Sequence, residues 1–239
     1  MFTLSGGAYY TGNSATGDRV ASSPFAVEGT HSYGLNATST ATATATMTTS
    51  NINTSAYTGI SATFRLAAFS IGSTTNGLDG TDIVTVSVSP DGGTTYYSTV
   101  RVLGNGNAYW SYSGGTGVAS TAYDGNATPA DFTPAAGNLR TTDGYSTVTI
   151  TGLPAITNLR VRITLTNNAT SERWVVDDFK VSGTLAPVGP TVTTTAATSV
   201  TTSGATLNGT IDANNTATNI TFEYGTTVAY GETATATPS

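Results

Sequence analysis

The chain of 239 residues contains no cysteine, one histidine (His31) and one lysine (Lys180). Without cysteine it forms no disulfide and offers neither a thiolate nucleophile nor a Cys-based zinc site. Its net charge is −6, and it lacks the clusters of Lys and Arg on which affinity for a nucleic-acid backbone rests. The same shortage excludes electrostatic attachment to an anionic bilayer. No run approaches the roughly 18 apolar residues of a membrane-spanning helix, so no membrane insertion is expected. Residues 1–7 carry neither a basic start nor a long apolar core, so no secretory leader is visible, and the expectation is a mature or excised piece of a longer protein.

Catalytic machinery is equally scarce. Any Ser-His-Asp triad would have to use His31, and no G-x-S-x-G elbow accompanies it. Neither a phosphate-cradling G-x-x-x-x-G-K-[ST] loop nor an H-E-x-x-H zinc motif occurs. Glu28, Asp124, Asp131, Glu172, Asp177 and Asp178 could in principle supply a glycosidase pair, but nothing in their spacing selects one. The expectation is that the protein is not an enzyme.

Charged residues make up only 9% of the chain, against roughly 25% in an average soluble protein. Thr, Ser, Ala, Gly and Asn fill the gap, which suits half-buried pleated strands. Period-two alternation recurs. Val84, Val86 and Val88 oppose Thr85, Ser87 and Ser89, and Leu159, Val161, Ile163 and Leu165 oppose Arg160, Arg162 and Thr164. Further strands are expected at 61–71, 95–103, 108–113, 146–151 and 173–182. Turn clusters such as Pro90-Asp91-Gly92-Gly93 and Gly152-Leu153-Pro154 separate them. Many strands, glycine-rich turns and no helical periodicity predict an all-β sandwich or barrel.

Two stretches invite a functional reading. In residues 37–50, Thr38, Thr40, Thr42, Thr44 and Thr46 alternate with alanines. Such a Thr ladder could bind ice or a repetitive polymer, but it is not repeated over parallel strands, and a small-residue strand packed under a neighbour is the preferred reading. Tyr109, Trp110 and Tyr112 form the densest aromatic cluster, beside glycine-rich loops. Exposed, they would stack on sugar rings and serve as the ligand-binding residues; buried, they are core.

The segment Trp174-Val175-Val176-Asp177-Asp178-Phe179-Lys180-Val181 resembles the closing strand of extracellular jelly-roll domains, the MAM-like and cleaved-adhesin-like modules of secreted Bacteroidetes-type proteins. Residues 25–32 (Phe-Ala-Val-Glu-Gly-Thr-His-Ser) resemble an early strand of such domains, and residues 82–93, with their Ser-Pro-Asp-Gly-Gly turn, resemble a middle strand. The resemblance covers residues 1–183. It implies a jelly-roll-type antiparallel β-sandwich on a secreted or cell-surface protein, serving adhesion, glycan binding or spacing. Strict alternation would place Val175, Asp177, Phe179 and Val181 on the core face, leaving Asp177 near the interior. A carboxylate there must be hydrogen-bonded, paired or metal-bound. Either it accepts backbone N–H groups or pairs with Arg162 or Arg173, or Asp177 or Asp178 joins a calcium site of the kind found in related jelly rolls, with Glu28, Asp79 and Asp82 as co-ligands.

Residues 184–190 read as a linker with two prolines, Pro187 and Pro190. Residues 191–239, with the phrases Ala205-Thr206-Leu207-Asn208-Gly209 and Phe222-Glu223-Tyr224-Gly225, resemble the first half of a bacterial fibronectin type III domain. They amount to about half of the roughly 100 residues of an immunoglobulin-like sandwich. Either the natural protein continues, or a partner's strand completes the domain. The sequence therefore predicts a non-catalytic binding or adhesion module, with a glycan or a surface protein as its partner. The alternative is a structural subunit of an extracellular fibre or surface layer, self-associating through the strand edges of 191–239.

Overall fold

The computed structural model describes residues 1–14, 23–37, 41–72 and 77–236. Contacts divide the chain into two compact units, Met1–Leu185 and Ala186–Ser239. Every regular element among the described residues is a strand, so the protein is all-β.

The first unit is a two-sheet sandwich of jelly-roll type. One sheet has the order β1 (Phe2–Ser5), β4 (Ala43–Thr49), β11 (Arg160–Asn167), β6 (Ile83–Ser89), β7 (Tyr97–Leu103), β9 (Ala130–Phe132). The other runs β2 (Ala8–Tyr10), β3 (Ser32–Asn36), β12 (Glu172–Leu185), β5 (Tyr57–Ser70), β10 (Tyr145–Thr151), β8 (Gly117–Ala122). Pairing is antiparallel except at one edge of each sheet, where β9 joins β7 and β8 joins β10 in parallel.

The core lies between the sheets, and the alternation built it. Val84, Val86 and Val88 of β6 face Val161, Ile163 and Leu165 of β11 in direct register, all fully buried. Across the gap stand Ile60, Ala62, Phe64, Leu66 and Ala68 of β5 with Trp174 and Val176 of β12. Each large apolar side chain so buried contributes about 1.5–3 kcal/mol. In β4, Ala45 and Met47 are buried while Thr44, Thr46 and Thr48 stay on the outer face, which is the small-residue strand expected; Thr38 and Thr40 lie outside the described residues. A second, smaller cluster sits on the outer face of the β5–β12 pair, where Ala67, Phe69 and Val175 are covered by Phe25 and Tyr112. Residues 25–31 form no regular strand, because Phe25 is used as this cover and the early strand starts at Ser32.

β12 departs from simple alternation. Asp177 pairs with Arg65, but the next paired residue is Lys180 with Thr63, so one extra residue is inserted. Asp178 has φ +50°, a left-handed conformation that Asp tolerates better than most residues, and it forms a β-bulge. The bulge reverses the parity of the strand. Trp174 and Val176 point inward before it, and Phe179 and Val181 pack on the same core after it. Asp177 therefore sits on the outer face with Val175 rather than near the interior. The strand also runs on to Leu185, two residues into the expected linker.

In the second unit, β13 (Thr191–Thr198) pairs with β14 (Thr206–Asp212), and β15 (Thr221–Tyr224) with β16 (Glu232–Thr235). These two hairpins border an open apolar cleft of about 870 Å³, lined among others by Val192, Leu207, Ile211, Ile220 and Phe222.

Candidate functional site

The aromatic cluster singled out in the sequence is not a surface. Tyr109, Trp110 and Tyr112 are 6%, 0% and 1% exposed. Trp110 meets Trp174 edge to face at 5.7 Å in the main core, and its indole N–H donates to the Leu66 carbonyl at 3.3 Å. Tyr112 closes the outer cluster over Phe69 and Val175. The sugar-stacking role is thus overturned for these residues by their burial; their large apolar area is spent on the core.

The acidic residues fall into two groups. Asp177 Oδ2 accepts the backbone N–H groups of Val27 (2.6 Å) and Glu28 (2.9 Å), pinning the segment that carries Phe25. This is the backbone-anchoring role and not the alternative pairing with Arg162 or Arg173. Arg162 lies over the Tyr96 ring, and Arg173 lies over Tyr10 and Phe25. Asp178 is ion-paired with Lys180 at 2.7 Å. Among the described residues neither joins a cluster of possible metal ligands, and Glu28 contributes its backbone N–H to Asp177.

Asp79, Asp82 and Glu172 do come together: each offers a carboxylate oxygen within 4.8 Å of the others. Glu172 opens β12 about 16 Å along the strand from Asp177, at 3.3 Å per residue, so the acids expected to share one site are divided between two places. The loop before β6 builds its half of the cluster by local bonds. Asp79 Oδ1 accepts from the Thr81 N–H and hydroxyl, while the Asp79 N–H donates to Asp82 Oδ2 at 2.6 Å. The turn between β11 and β12 supplies the other half. There the Asn168 N–H donates to Asp82 Oδ1, and the Asn168 amide donates to Thr81 Oγ1 at 2.6 Å. Gly104 backs the loop so closely that a Cβ on it would run into the Asp79 carbonyl oxygen, so no larger residue fits.

Asp82 is 0% and Glu172 5% exposed. Burial, with the Asp79 charge adding to it, pushes the Asp82 carboxyl up to about 6. Burial together with the Asp82 and Asp79 charges pushes Glu172 up to about 7. Glu172 Oε2 is buried with no hydrogen-bond partner among the described residues. An orphaned buried carboxylate oxygen beside two others is a costly arrangement for protein alone. A hard cation bound by oxygen ligands satisfies all three, so the residues fit a metal ion. Glu172 is a member of the cluster that the sequence does not announce, since nothing near it signals the grouping. Only the pairing of β12 beside β5, and the turn from β11, carry it to Asp79 and Asp82.

No family model and no curated protein matches the chain. Among solved structures, it is similar to the carbohydrate-binding module TmCBM61, determined in complex with β-1,4-galactotriose. The TM-score is 0.41 with 10% identity, covering 76% of this chain and 88% of that one. It is also similar to an exo-β-agarase, at TM-score 0.37 and 9% identity, covering 77% of this chain but only 23% of the agarase chain.

Proposed function

We propose that residues 1–185 form a non-catalytic binding module of a secreted or cell-surface protein, of the MAM-like or cleaved-adhesin-like jelly-roll kind, and that its ligand is a carbohydrate. A calcium ion held by Asp79, Asp82 and Glu172 fixes the end of the sandwich where β6 and β12 begin. The observation that carries the calcium site is Glu172 Oε2, buried and unpartnered beside two further carboxylates. Oxygen-only ligation at a preformed loop site suits calcium over softer metals. Extracellular modules with such sites work at the roughly 10⁻⁴–10⁻³ M calcium found outside cells, in keeping with a secreted setting. The carboxylates bear on structure, because they stand where the loop before β6 meets the start of β12 and tie the two together.

The test is thermal unfolding of the full chain in EDTA and in millimolar calcium, together with a glycan array read in both conditions. Calcium at a hundredfold excess over its Kd should stabilise by about 2.7 kcal/mol. That corresponds to a rise in Tm of about 5–10 °C at roughly 2–4 °C per kcal/mol for a chain of this size. No shift with any divalent cation would sink the metal site, and an array blank in both conditions would sink the carbohydrate reading.

A second reading concerns the other unit. Its apolar cleft between the β13–β14 and β15–β16 hairpins supports a fibronectin-like half sandwich into which a strand of a second copy inserts, making a self-assembling fibre or layer. Sedimentation of the full chain against a chain lacking residues 191–239 tests it. Assembly lost on deletion supports the reading, and assembly unchanged removes it.

A further inference from the structure

Beside the buried aromatics, the sandwich keeps a set of aromatic side chains at its open edge, where β1 of one sheet and β2 of the other are both edge strands. A groove of about 350 Å³ opens there, lined among others by Phe2, Phe179, Tyr9, His31, Asp177 and Asp178. The volume falls within the roughly 300–1,000 Å³ of small-molecule sites. Tyr9 is 66% and Phe2 38% exposed, yet neither ring hangs loose. Tyr9 stands edge-on to Tyr33 at 6.1 Å and to His31 at 6.3 Å, and Phe2 stands edge-on to Phe179 at 5.3 Å. Exposed rings held in place lose little further freedom when a ligand stacks on them.

The polar groups of the groove are held as firmly. Asp177 is oriented by the two backbone N–H groups on its Oδ2, Asp178 by Lys180, and His31 through its Nδ1 by the Thr30 hydroxyl at 2.7 Å. His31 Nε2 has no hydrogen-bond partner among the described residues. Carboxylate oxygens accept from hydroxyls, and an imidazole nitrogen donates or accepts. Flat apolar faces flanked by such groups match a pyranose, which is apolar on its C–H face and hydroxylated around its rim.

From this geometry we propose that the groove between β1 and β2 is the module's saccharide-binding site, taking a neutral sugar with Tyr9 as the stacking ring and His31 as a hydroxyl partner. The inference rests on the carbohydrate reading above and gives it a place and a charge class. Two carboxylates beside the groove, Asp177 and Asp178, on a chain of net charge −6, repel uronates, sialylated glycans and sulfated glycans.

The experiment is titration calorimetry of the full chain against neutral β-linked trisaccharides (cellotriose, mannotriose, xylotriose, galactotriose) and against sialyllactose as the anionic probe. It is repeated with Tyr9→Ala, Asp177→Asn and the control Tyr224→Ala, with Tm measured for each. The expected result is binding of at least one neutral trisaccharide, weakened at least about tenfold by Tyr9→Ala at unchanged Tm and untouched by Tyr224→Ala. Asp177→Asn can loosen the 25–31 segment, so Tyr9→Ala is the deciding variant. Neutral binding that survives Tyr9→Ala undiminished overturns the groove while leaving the carbohydrate reading standing. Tighter binding of sialyllactose overturns the charge class. No binding by any probe removes the groove and the carbohydrate reading together.

Discussion

Trp110 and Trp174 meet edge to face in the middle of the sandwich, ring centroids 5.7 Å apart and planes at 70°. Trp174 belongs to the central strand β12, whereas Trp110 comes from an irregular segment tied to β5 by the bonds between Ala68 and Trp110. The pair therefore fastens a long loop to the core. Trp110→Ala should cost about 3–5 kcal/mol, read as a fall in the denaturant midpoint, with any loss of ligand binding tracking the unfolded fraction. Binding lost at full stability would return Trp110 to the surface role that its burial denies it.

The metal-free acid cluster gives a pH dependence with a definite sign. Asp82 and Glu172 have carboxyls raised to about 6 and about 7 from ordinary values of 3.8 and 4.5. A raised carboxyl favours the folded state while protonated. That contribution is full below about pH 4 and is lost as pH rises through 6 and 7, with a slope of up to about 1.4 kcal/mol per pH unit for each proton released. Unfolding in EDTA from pH 4 to 8 should show wild type losing stability relative to Glu172→Gln across this window. Parallel curves would contradict the raised values.

Calcium should act in the opposite direction, since it binds the deprotonated cluster. The Tm gain on adding calcium should be larger at pH 8 than at pH 5 and absent in Glu172→Gln. Gly104→Ala, which drives a methyl into the Asp79 carbonyl, should reduce calcium affinity by moving the loop. An equal gain at both pH values would place the ion elsewhere.

Asp177→Ala removes the acceptor of two backbone N–H groups. Because the site is exposed, water replaces the carboxylate and each lost bond costs about 0.5–1.5 kcal/mol, felt first by the segment that seats Phe25 on Phe69. Hydrogen exchange at the Val27 and Glu28 amides should accelerate well beyond that of β6. Unchanged protection at those two amides would mean that Asp177 does not anchor the segment.

At the bulge, Asp178→Gly should leave stability equal or slightly raised, since glycine takes a positive φ freely. Asp178→Val should cost about 1–2 kcal/mol. Chemical denaturation of the two variants compares them directly, and equal stabilities would deny the bulge its left-handed residue.

Much of this fold is legible in the sequence where neighbours alone decide structure. The alternation at Val84–Val88 and Leu159–Leu165 marks two central strands, and the Asp91 turn forms as its residues suggest, with Ser89, Thr94 and Thr95 all donating to the Asp91 carboxylate. Residues 173–182 are recognisable as a strand, but their faces are not. One inserted residue at Asp178 exchanges inside for outside, and periodicity carries no mark of it. Asp79 and Asp82 are visible as acids three apart in a turn. Glu172 is invisible as their partner because the contact depends on which strands lie side by side. Tyr109, Trp110 and Tyr112 show a related limit, since aromatic density looks alike in a core and on a binding face.

The order of strands has a consequence in time. β11 and β12 are the last strands of the first unit to be made, yet each lies inside its sheet, with β11 between β4 and β6 and β12 between β3 and β5. Contacts such as that of Arg162 with Thr48 join residues 114 positions apart. Until these two strands emerge, β3, β4, β5 and β6 have no central partner, and neither sheet can close. The polypeptide must remain loose over most of its length and then lock late. Such non-local pairing folds slowly, and until the last two strands arrive the inner edges of β3, β4, β5 and β6 stay open to wrong partners.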